Sequence, residues 1–253
     1  MKCLYCQNSP WSWRGEGRDI TVDELSGILR TLATKYGCAN WNLVSPTPYL
    51  PYIRTAAEAL RSEGVRLPFV WNSSGYERAE TLAEYGDLCD IALIDLRYAK
   101  DSTARAASAA PGYVTASRTA VKHLWNTLGR LDSEEPGMAT RGVIVRLLVL
   151  PGFADEAIEN LAWIATECSS EMHVSVMSQY APAFNANGTP PFNRTVTEDE
   201  YASVTEAAAD FGFESGWIQG FGSRDTSSDL VGENMTPGEG TVEATSCSPR
   251  IAE

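Results

Sequence analysis

The run Trp41-Asn42-Leu43-Val44-Ser45-Pro46 is short and largely apolar up to its closing proline, which favours a buried β-strand over a helix. Helices are predicted on both sides of this run. Upstream, Thr21-Val22-Asp23-Glu24 has the pattern of a capping box, and leucine and isoleucine then recur at helical spacing as far as Gly37. Downstream, Pro51 is placed to begin a second helix, which ends near Gly64. A strand between two such helices is typical of an α/β fold.

The same alternation continues along most of the chain. Further strands are predicted at 67–71, 90–95, 143–150 and 173–178, and further helices at 77–85, 114–128, 155–168 and about 198–210. Strands that alternate with helices pair in parallel through right-handed crossovers, and nearly all-apolar strands are buried on both faces. The predicted fold class is therefore α/β, in the form of a full or partial (β/α) barrel.

Polar residues collect where the predicted strands end. In parallel sheets of this kind, ligands bind at the carboxyl ends of the strands. The sequence therefore predicts a ligand site among Ser45-Pro46-Thr47, Asn72-Ser73-Ser74, Asp95-Leu96-Arg97, Pro151-Gly152 and Ser178-Gln179-Tyr180. The alternative is a purely structural role, in which strand-end Asn and Ser stabilise turns or helix caps and strand-end Arg forms an ion pair.

The composition limits the kinds of partner. The chain has 253 residues, of which 43% are hydrophobic, and a net charge of −13, which argues against a nucleic-acid partner. No uninterrupted apolar run reaches the roughly 18 residues that span a membrane, so a cytoplasmic protein without membrane contact is expected. We expect one domain over residues 1–220 and a flexible acidic and polar tail over 221–253, because the tail has few large apolar residues.

Cys3 and Cys6 have the C-x-x-C spacing that lets two thiolates bind one metal centre. A structural zinc site would need a second ligand pair, and no other C-x-x-C is present. A thioredoxin-like dithiol would follow a strand and begin a helix, whereas this pair lies near residue 1. Zinc and a redox dithiol remain as alternatives to an iron-sulfur cluster.

At Cys3-Leu4-Tyr5-Cys6 the sequence resembles the radical S-adenosylmethionine (SAM) superfamily, whose cluster motif is C-x-x-x-C-x-aromatic-C, with Tyr5 in the aromatic position. Later segments resemble an uncharacterised branch related to pyruvate formate-lyase activating enzymes. These segments are Asn42 to Thr47, Asn72 to Glu77, Asp95 to Tyr98, Arg146 to Gly152 and Met177 to Tyr180. The resemblance covers nearly everything from Cys3 to about Gly212 and implies a partial (β/α) barrel of the radical SAM type.

The match departs from the family at its beginning. The family's first cysteine would fall two residues before Met1, and the strand that precedes the cluster loop in such barrels would lie further upstream. An N-terminally truncated chain that lacks this first strand is therefore expected.

The resemblance implies an enzyme that uses a [4Fe-4S] cluster to cleave SAM reductively into methionine and a 5′-deoxyadenosyl radical, in the manner of enzymes that activate glycyl-radical proteins. It implies Cys3 and Cys6 as metal ligands. It places the cofactor-binding residues at Tyr5, Ser45, Thr47, Asn72, Ser74, Asp95, Arg97, Arg146 and Gln179. Ser45 and Thr47 occupy the place where activating enzymes carry a Gly-Gly-Glu segment that holds the SAM amine. The implied partners are a reducing protein such as flavodoxin or ferredoxin and a glycyl-radical enzyme.

Two other functions remain open at this point. One is a non-catalytic truncated remnant with an incomplete cluster site. The other is a sugar- or phosphate-processing barrel in which the two cysteines are incidental, because a barrel fold does not by itself choose a chemistry.

Overall fold

A parallel sheet of six strands forms the centre of the protein in a computed structural model that describes residues 1–135 and 138–222. Its strand order is β1-β2-β3-β5-β6-β7, and β4 pairs antiparallel with β5 outside this order. The strands are β1 (Trp41–Val44), β2 (Phe69–Ser73), β3 (Ile91–Asp95), β4 (Asp132–Glu135), β5 (Met138–Leu148), β6 (His173–Met177) and β7 (Gly216–Ile218). The sheet does not close, so the prediction of a partial (β/α) barrel is confirmed.

Helices alternate with the strands: the first two precede β1, and the other six lie between β1 and β7. They are α1 (Ser9–Ser12), α2 (Val22–Thr34), α3 (Leu50–Ser62), α4 (Ala79–Tyr85), α5 (Asp101–Ser108), α6 (Tyr113–Leu128), α7 (Ala154–Glu167) and α8 (Glu198–Asp210). The capping box predicted at the start of α2 is present, with the Glu24 N–H donating to Thr21 Oγ1 at 3.1 Å and the Thr21 N–H donating to Glu24 at 2.8 Å. In the described part of the chain, no helix is long and apolar enough to cross a bilayer.

Alternate strand residues separate the two faces of the sheet. Trp71, Ile94, Val145 and Val176 are buried in the main hydrophobic core with the helices. Because successive strand side chains point to opposite faces, their neighbours Asn72, Asp95, Arg146 and Ser175 lie on the other, concave face. The pairing register places Asp95 beside Arg146 and Arg146 beside Ser175.

Several predicted boundaries move in the structure. The strand expected at 67–71 lies at Phe69–Ser73, because Pro68 has no N–H to donate to the sheet and its carbonyl instead accepts the Trp41 N–H at 2.9 Å. The strand expected at 143–150 begins at Met138, since its first residues pair with β4. The helix expected from residue 77 begins at Ala79, and Glu77 is buried in the loop before it.

The sequence interpretation did not anticipate α1, α5, β4 or β7. Three of these elements have only three or four residues, too few for a periodic pattern to appear. Of the tail predicted over 221–253, residues 223–253 lie outside the described residues, and the boundary at 220 stays a prediction.

Candidate active site at the carboxyl edge of the sheet

The Cys3–Cys6 loop is held against the C-terminal end of α5. The Lys2 N–H donates to the Ser108 carbonyl at 2.8 Å, and the Leu4 N–H donates to the Ala107 carbonyl at 2.9 Å. The Cys6 N–H closes a turn onto the Cys3 carbonyl at 3.3 Å. Backbone hydrogen bonds therefore fix the position of both thiols relative to the carboxyl edge of the sheet.

The two thiols differ in their surroundings. Cys3 is buried, and its Sγ accepts hydrogen bonds from Ser108 Oγ at 3.0 Å and from Arg97 Nη1 at 3.3 Å. Cys6 is partly exposed, and its Sγ lies 3.1 Å from Ser12 Oγ. A guanidinium beside a sulfur suits a thiolate ligand that carries negative charge.

An ionic network extends from Cys3 across three strands. Arg97 donates to Asp95 Oδ2 through Nη2 at 2.5 Å and through Nε at 3.2 Å. The other Asp95 oxygen accepts from Arg146 Nε at 2.7 Å, and Arg146 Nη2 donates to Asn72 Oδ1 at 2.6 Å. Five residues that sequence reasoning placed in the site are thus joined in one chain of contacts.

Tyr5 lies behind the thiols in a buried group of aromatic rings. It packs edge-on against Tyr180 at 5.5 Å and stacks on Phe192 at 5.7 Å. The Tyr5 hydroxyl contacts the Tyr98 hydroxyl, and the Tyr98 hydroxyl lies 2.5 Å from Ser108 Oγ. Because Ser108 also bonds to Cys3 Sγ, hydrogen bonds link Tyr5 to Cys3 through these two side chains. Burial raises the pKa of Tyr5 to about 12, and its hydroxyl therefore stays protonated at neutral pH.

A cleft of about 140 Å³ opens beside the loop. Its lining comprises Tyr5, Cys6, Gln7, Asn8, Arg97, Leu148, Tyr180 and Ala181. The cleft brings one thiol and one end of the ionic network to the same space, at the edge where parallel α/β sheets bind ligands.

The remaining predicted residues lie along the same edge but outside the network. The Ser45 N–H donates to the Asn72 carbonyl at 2.8 Å, and Ser45 adopts a left-handed φ of 52°. The Ser74 carbonyl accepts the Tyr113 hydroxyl at 2.9 Å, and Gln179 Nε2 contacts Met177 Sδ at 3.5 Å. For these residues the structure provides local turn contacts.

Thr47 leads to a residue that sequence reasoning missed. Its hydroxyl donates to Glu77 Oε1 at 2.7 Å, and the Ser73 hydroxyl contacts the same oxygen. Glu77 was assigned to a helix, whereas it is buried in the loop that follows β2, and its Oε2 has no hydrogen-bond partner among the described residues. Ser108 and Tyr98 were also missed, because their approach to Cys3 depends on contacts between residues about 100 positions apart.

The donor set fits part of an iron-sulfur site. Two thiols in one turn suit a soft metal centre. Across residues 1–135 and 138–222, however, no group of three or more His, Cys, Asp or Glu side chains is gathered as a metal site. Cys3 and Cys6 would therefore supply two ligands of a cluster, and any third thiolate would have to come from outside the described residues.

Two solved structures share the arrangement of strands and helices. SuiB from Streptococcus suis superposes with a TM-score of 0.53 and 10% identity over 87% of this chain and 46% of its own. TYW1, solved with a lysine-pyruvate adduct bound, superposes with a TM-score of 0.51 and 12% identity over 87% of this chain and 72% of its own. Both are radical SAM enzymes. The chain therefore shares the open (β/α) barrel fold of these two enzymes.

At the level of sequence, an uncharacterized protein from Methanocaldococcus jannaschii is 25% identical over an alignment of 223 residues that covers 85% of this chain. The chain spans 60% of the length of that archaeal relative and 46% of the length of SuiB. No family model matches the chain. The assignment of the fold therefore rests on the structural comparison.

Proposed function

We propose that the chain is the barrel of a radical SAM enzyme that binds SAM at the carboxyl edge of the sheet and cleaves it reductively. The observation that carries this proposal is the continuous line of contacts from Cys3 through Arg97, Asp95 and Arg146 to Asn72. It joins the only C-x-x-C motif of the sequence to polar side chains at the ligand-binding edge of a radical SAM fold.

A [4Fe-4S] cluster held there by Cys3 and Cys6 would supply the electron that cleaves SAM into methionine and a 5′-deoxyadenosyl radical. The chain's own residues would hold and shield the reactants. Arg146 uses Nε and Nη2 within the network, and its side chain remains 22% exposed, so we propose that it pairs with the SAM carboxylate. Asn72 and Ser74 would face the ribose or methionine portion of SAM.

The contacts of the two arginines support different roles for them. Arg97 directs Nε and Nη2 to Asp95 and Nη1 to Cys3, so all three of its nitrogens already have partners. Arg146 is therefore the better candidate for the SAM carboxylate. Arg97 is better placed to fix Cys3 and to offset negative charge on its sulfur.

For the substrate, we extend the proposal to a glycyl-radical partner protein, from which the adenosyl radical would abstract a glycine hydrogen. The motif resemblance to activating enzymes supports this part. A reducing protein such as flavodoxin or ferredoxin would supply the electron.

Anaerobic incubation of the iron-loaded protein with SAM and a reductant tests the proposal directly. We expect 5′-deoxyadenosine and methionine in equal amounts, and loss of both products in Cys3→Ala and Cys6→Ala. Cys168→Ala is the matched control, because this thiol lies at the end of α7 and should leave the yield unchanged. Equal yields in all three variants would overturn the role of the C-x-x-C pair.

A further inference from the structure

Three buried hydroxyl groups lead from the ring of Tyr5 back to the sulfur of Cys3. Tyr5 is 5% exposed, and Tyr98 and Ser108 have no exposed surface. The Tyr5 hydroxyl contacts the Tyr98 hydroxyl, which lies 2.5 Å from Ser108 Oγ. Ser108 Oγ in turn donates to Cys3 Sγ at 3.0 Å. This hydroxyl chain therefore begins and ends in the same cysteine loop, and it passes through two residues that lie about 100 positions away.

The direction of every hydrogen bond in the hydroxyl chain follows from the number of protons. Each hydroxyl has one proton to donate, and a metal-bound thiolate can only accept, so the Ser108 proton goes to Cys3 Sγ. The Tyr98 proton must then go to Ser108 Oγ, and the Tyr5 proton to the Tyr98 oxygen. Hydrogen bonds aligned in one direction polarise one another, and a buried setting strengthens them. All three hydroxyls therefore act on one sulfur atom.

The backbone of the loop is fixed to the same turn of α5. On one side of Cys3, the Lys2 N–H donates to the Ser108 carbonyl at 2.8 Å, and on the other side the Leu4 N–H donates to the Ala107 carbonyl at 2.9 Å. Ser108 thus contacts the loop through its carbonyl and through its side chain. Because main chain and side chain of Cys3 are both held, its Sγ has a defined position even without a bound metal.

The C-x-x-C motif alone does not account for the hydroxyl chain. The aromatic position of the motif asks for a ring, and the Tyr5 ring meets this by packing against Tyr180 and Phe192. The Tyr5 hydroxyl adds nothing to that packing, and the hydrogen bond to Tyr98 is its contact in the chain. A role for the hydroxyl must therefore be sought at the other end of the hydroxyl chain, which is Cys3.

We propose that Ser108, oriented by Tyr98 and Tyr5, is a positioning residue that fixes the Cys3 sulfur and stabilises negative charge on it in a bound metal centre. This inference rests on the proposed function, in which Cys3 is a metal ligand. Hydrogen bonds to a ligand sulfur withdraw electron density from it, and they are one of the factors that set the reduction potential of iron-sulfur centres. The hydroxyl chain thereby favours the reduced, more negative form of the centre, with no covalent bond formed or broken.

Cobalt(II) binding to the metal-free chain tests the proposal without any turnover. A thiolate that binds cobalt(II) gives a charge-transfer band in the near ultraviolet, whose energy falls as the sulfur becomes a better electron donor. We expect this band to move to lower energy in Ser108→Ala and to move less in Tyr98→Phe, which leaves the direct donor in place. The matched control is Tyr201→Phe, because the Tyr201 hydroxyl is also buried but donates to the backbone carbonyls of Val176 and Gln219. Its band should stay at the wild-type position.

The midpoint potential of the reconstituted iron centre provides a second measurement. Loss of a hydrogen bond to the sulfur destabilises the reduced form, so the potential should become more negative. For Ser108→Ala we expect about 59 mV, which is a tenfold change in a one-electron equilibrium. Tyr98→Phe and Tyr5→Phe should shift the potential in the same direction by smaller amounts, in that order, because each lies one step further from Cys3.

Two outcomes would overturn the role of the hydroxyl chain and leave the proposed function standing. They are a thiolate band and a potential that do not change in Ser108→Ala, and a shift in Tyr201→Phe as large as that in Tyr98→Phe. The thermal midpoint of each variant shows whether it remains folded, and if Ser108→Ala does not fold, an unchanged band in Tyr98→Phe overturns the inference instead. A wild-type chain that gives no thiolate band with cobalt(II) would contradict the metal-ligand role of the C-x-x-C pair, and both the proposed function and this inference would then be wrong.

Discussion

Arg97 Nη1 donates a hydrogen bond to the buried Cys3 Sγ at 3.3 Å, across 94 positions of sequence. The same guanidinium contacts Asp95 through its other two nitrogens. One side chain therefore links the cysteine loop, which carries the proposed metal ligands, to the end of β3. This link is the basis of the first prediction.

Replacing Arg97 by Met should release Cys3 and leave Asp95 with Arg146 as its only guanidinium partner. We expect a loss of about 2–4 kcal/mol in unfolding free energy, measured by urea denaturation, because a partly buried charge network is broken. SAM cleavage should fall at least tenfold, whereas S-adenosylhomocysteine affinity should change less than it does in Arg146→Met. Arg97→Lys keeps the charge but loses the forked geometry, so its SAM cleavage should lie between that of the wild type and that of Arg97→Met. If Arg97→Met instead abolished ligand binding and Arg146→Met did not, the assignment of the two arginines would have to be exchanged.

Replacing Glu156 by Ala should loosen the start of α5. Its buried carboxylate accepts the Ala99 N–H at 2.9 Å, the Lys100 N–H at 3.0 Å and the Thr103 hydroxyl at 2.5 Å. Without these contacts, buried donors are left unpaired, and we expect a loss of about 2–4 kcal/mol by denaturant unfolding. Glu159→Ala, a half-exposed neighbour on α7 with a long 3.7 Å contact to Arg118, should cost less than about 1 kcal/mol. Comparable losses in the two variants would contradict the anchoring role of Glu156.

The ion pair of Glu200 with Arg194 should make stability depend on acid pH. Arg194 donates to both Glu200 oxygens at 2.7 Å, and this lowers the pKa of Glu200 from 4.5 to about 2. Since the folded pKa lies below the unfolded one, the contribution is complete above pH 4.5 and is lost as pH falls from 4.5 towards 2. We expect the pair to contribute about 2 kcal/mol to the free energy of unfolding, a figure that already allows for solvent screening of the exposed Arg194. Chemical denaturation from pH 6 to pH 3 should show a shallower pH dependence in Glu200→Gln, and an unchanged slope would argue against the pair.

Replacing Gly216 by Ala should displace β7. Its φ is 131°, and an added Cβ would lie 1.9 Å from the Val174 carbonyl oxygen in the neighbouring strand. The strand must therefore move away from β6, and we expect a loss of more than about 2 kcal/mol by thermal or denaturant unfolding. Gly188→Ala, where an added Cβ meets no atom within 4 Å, should be nearly neutral. Equal stability of the two variants would show that β7 is not held as closely as the structure indicates.

Local sequence was enough to predict most helices and strands, because their signals act over a few residues. The capping box at Thr21 and the end of α3 near Gly64 appear as predicted. The parallel pairing of the strands followed from the alternation of elements, and the gathering of Asn72, Asp95 and Arg97 at one edge followed from the rule that parallel strands end together. Arg146 lay inside a predicted strand, and only the family resemblance had placed it in the site.

Only the tertiary structure decided which of these side chains touch. Arg97 and Cys3 come together because α5 and the end of β3 receive the cysteine loop, and no local pattern encodes a contact 94 residues apart. Glu77 is buried between Thr47 and Ser73 for the same reason, as the packing of two neighbouring strand ends fixes it. The sequence by itself determined the α/β architecture and the edge where chemistry is expected, because periodicity and turn residues are local signals. The contacts that would hold a thiolate in place depend instead on long-range packing.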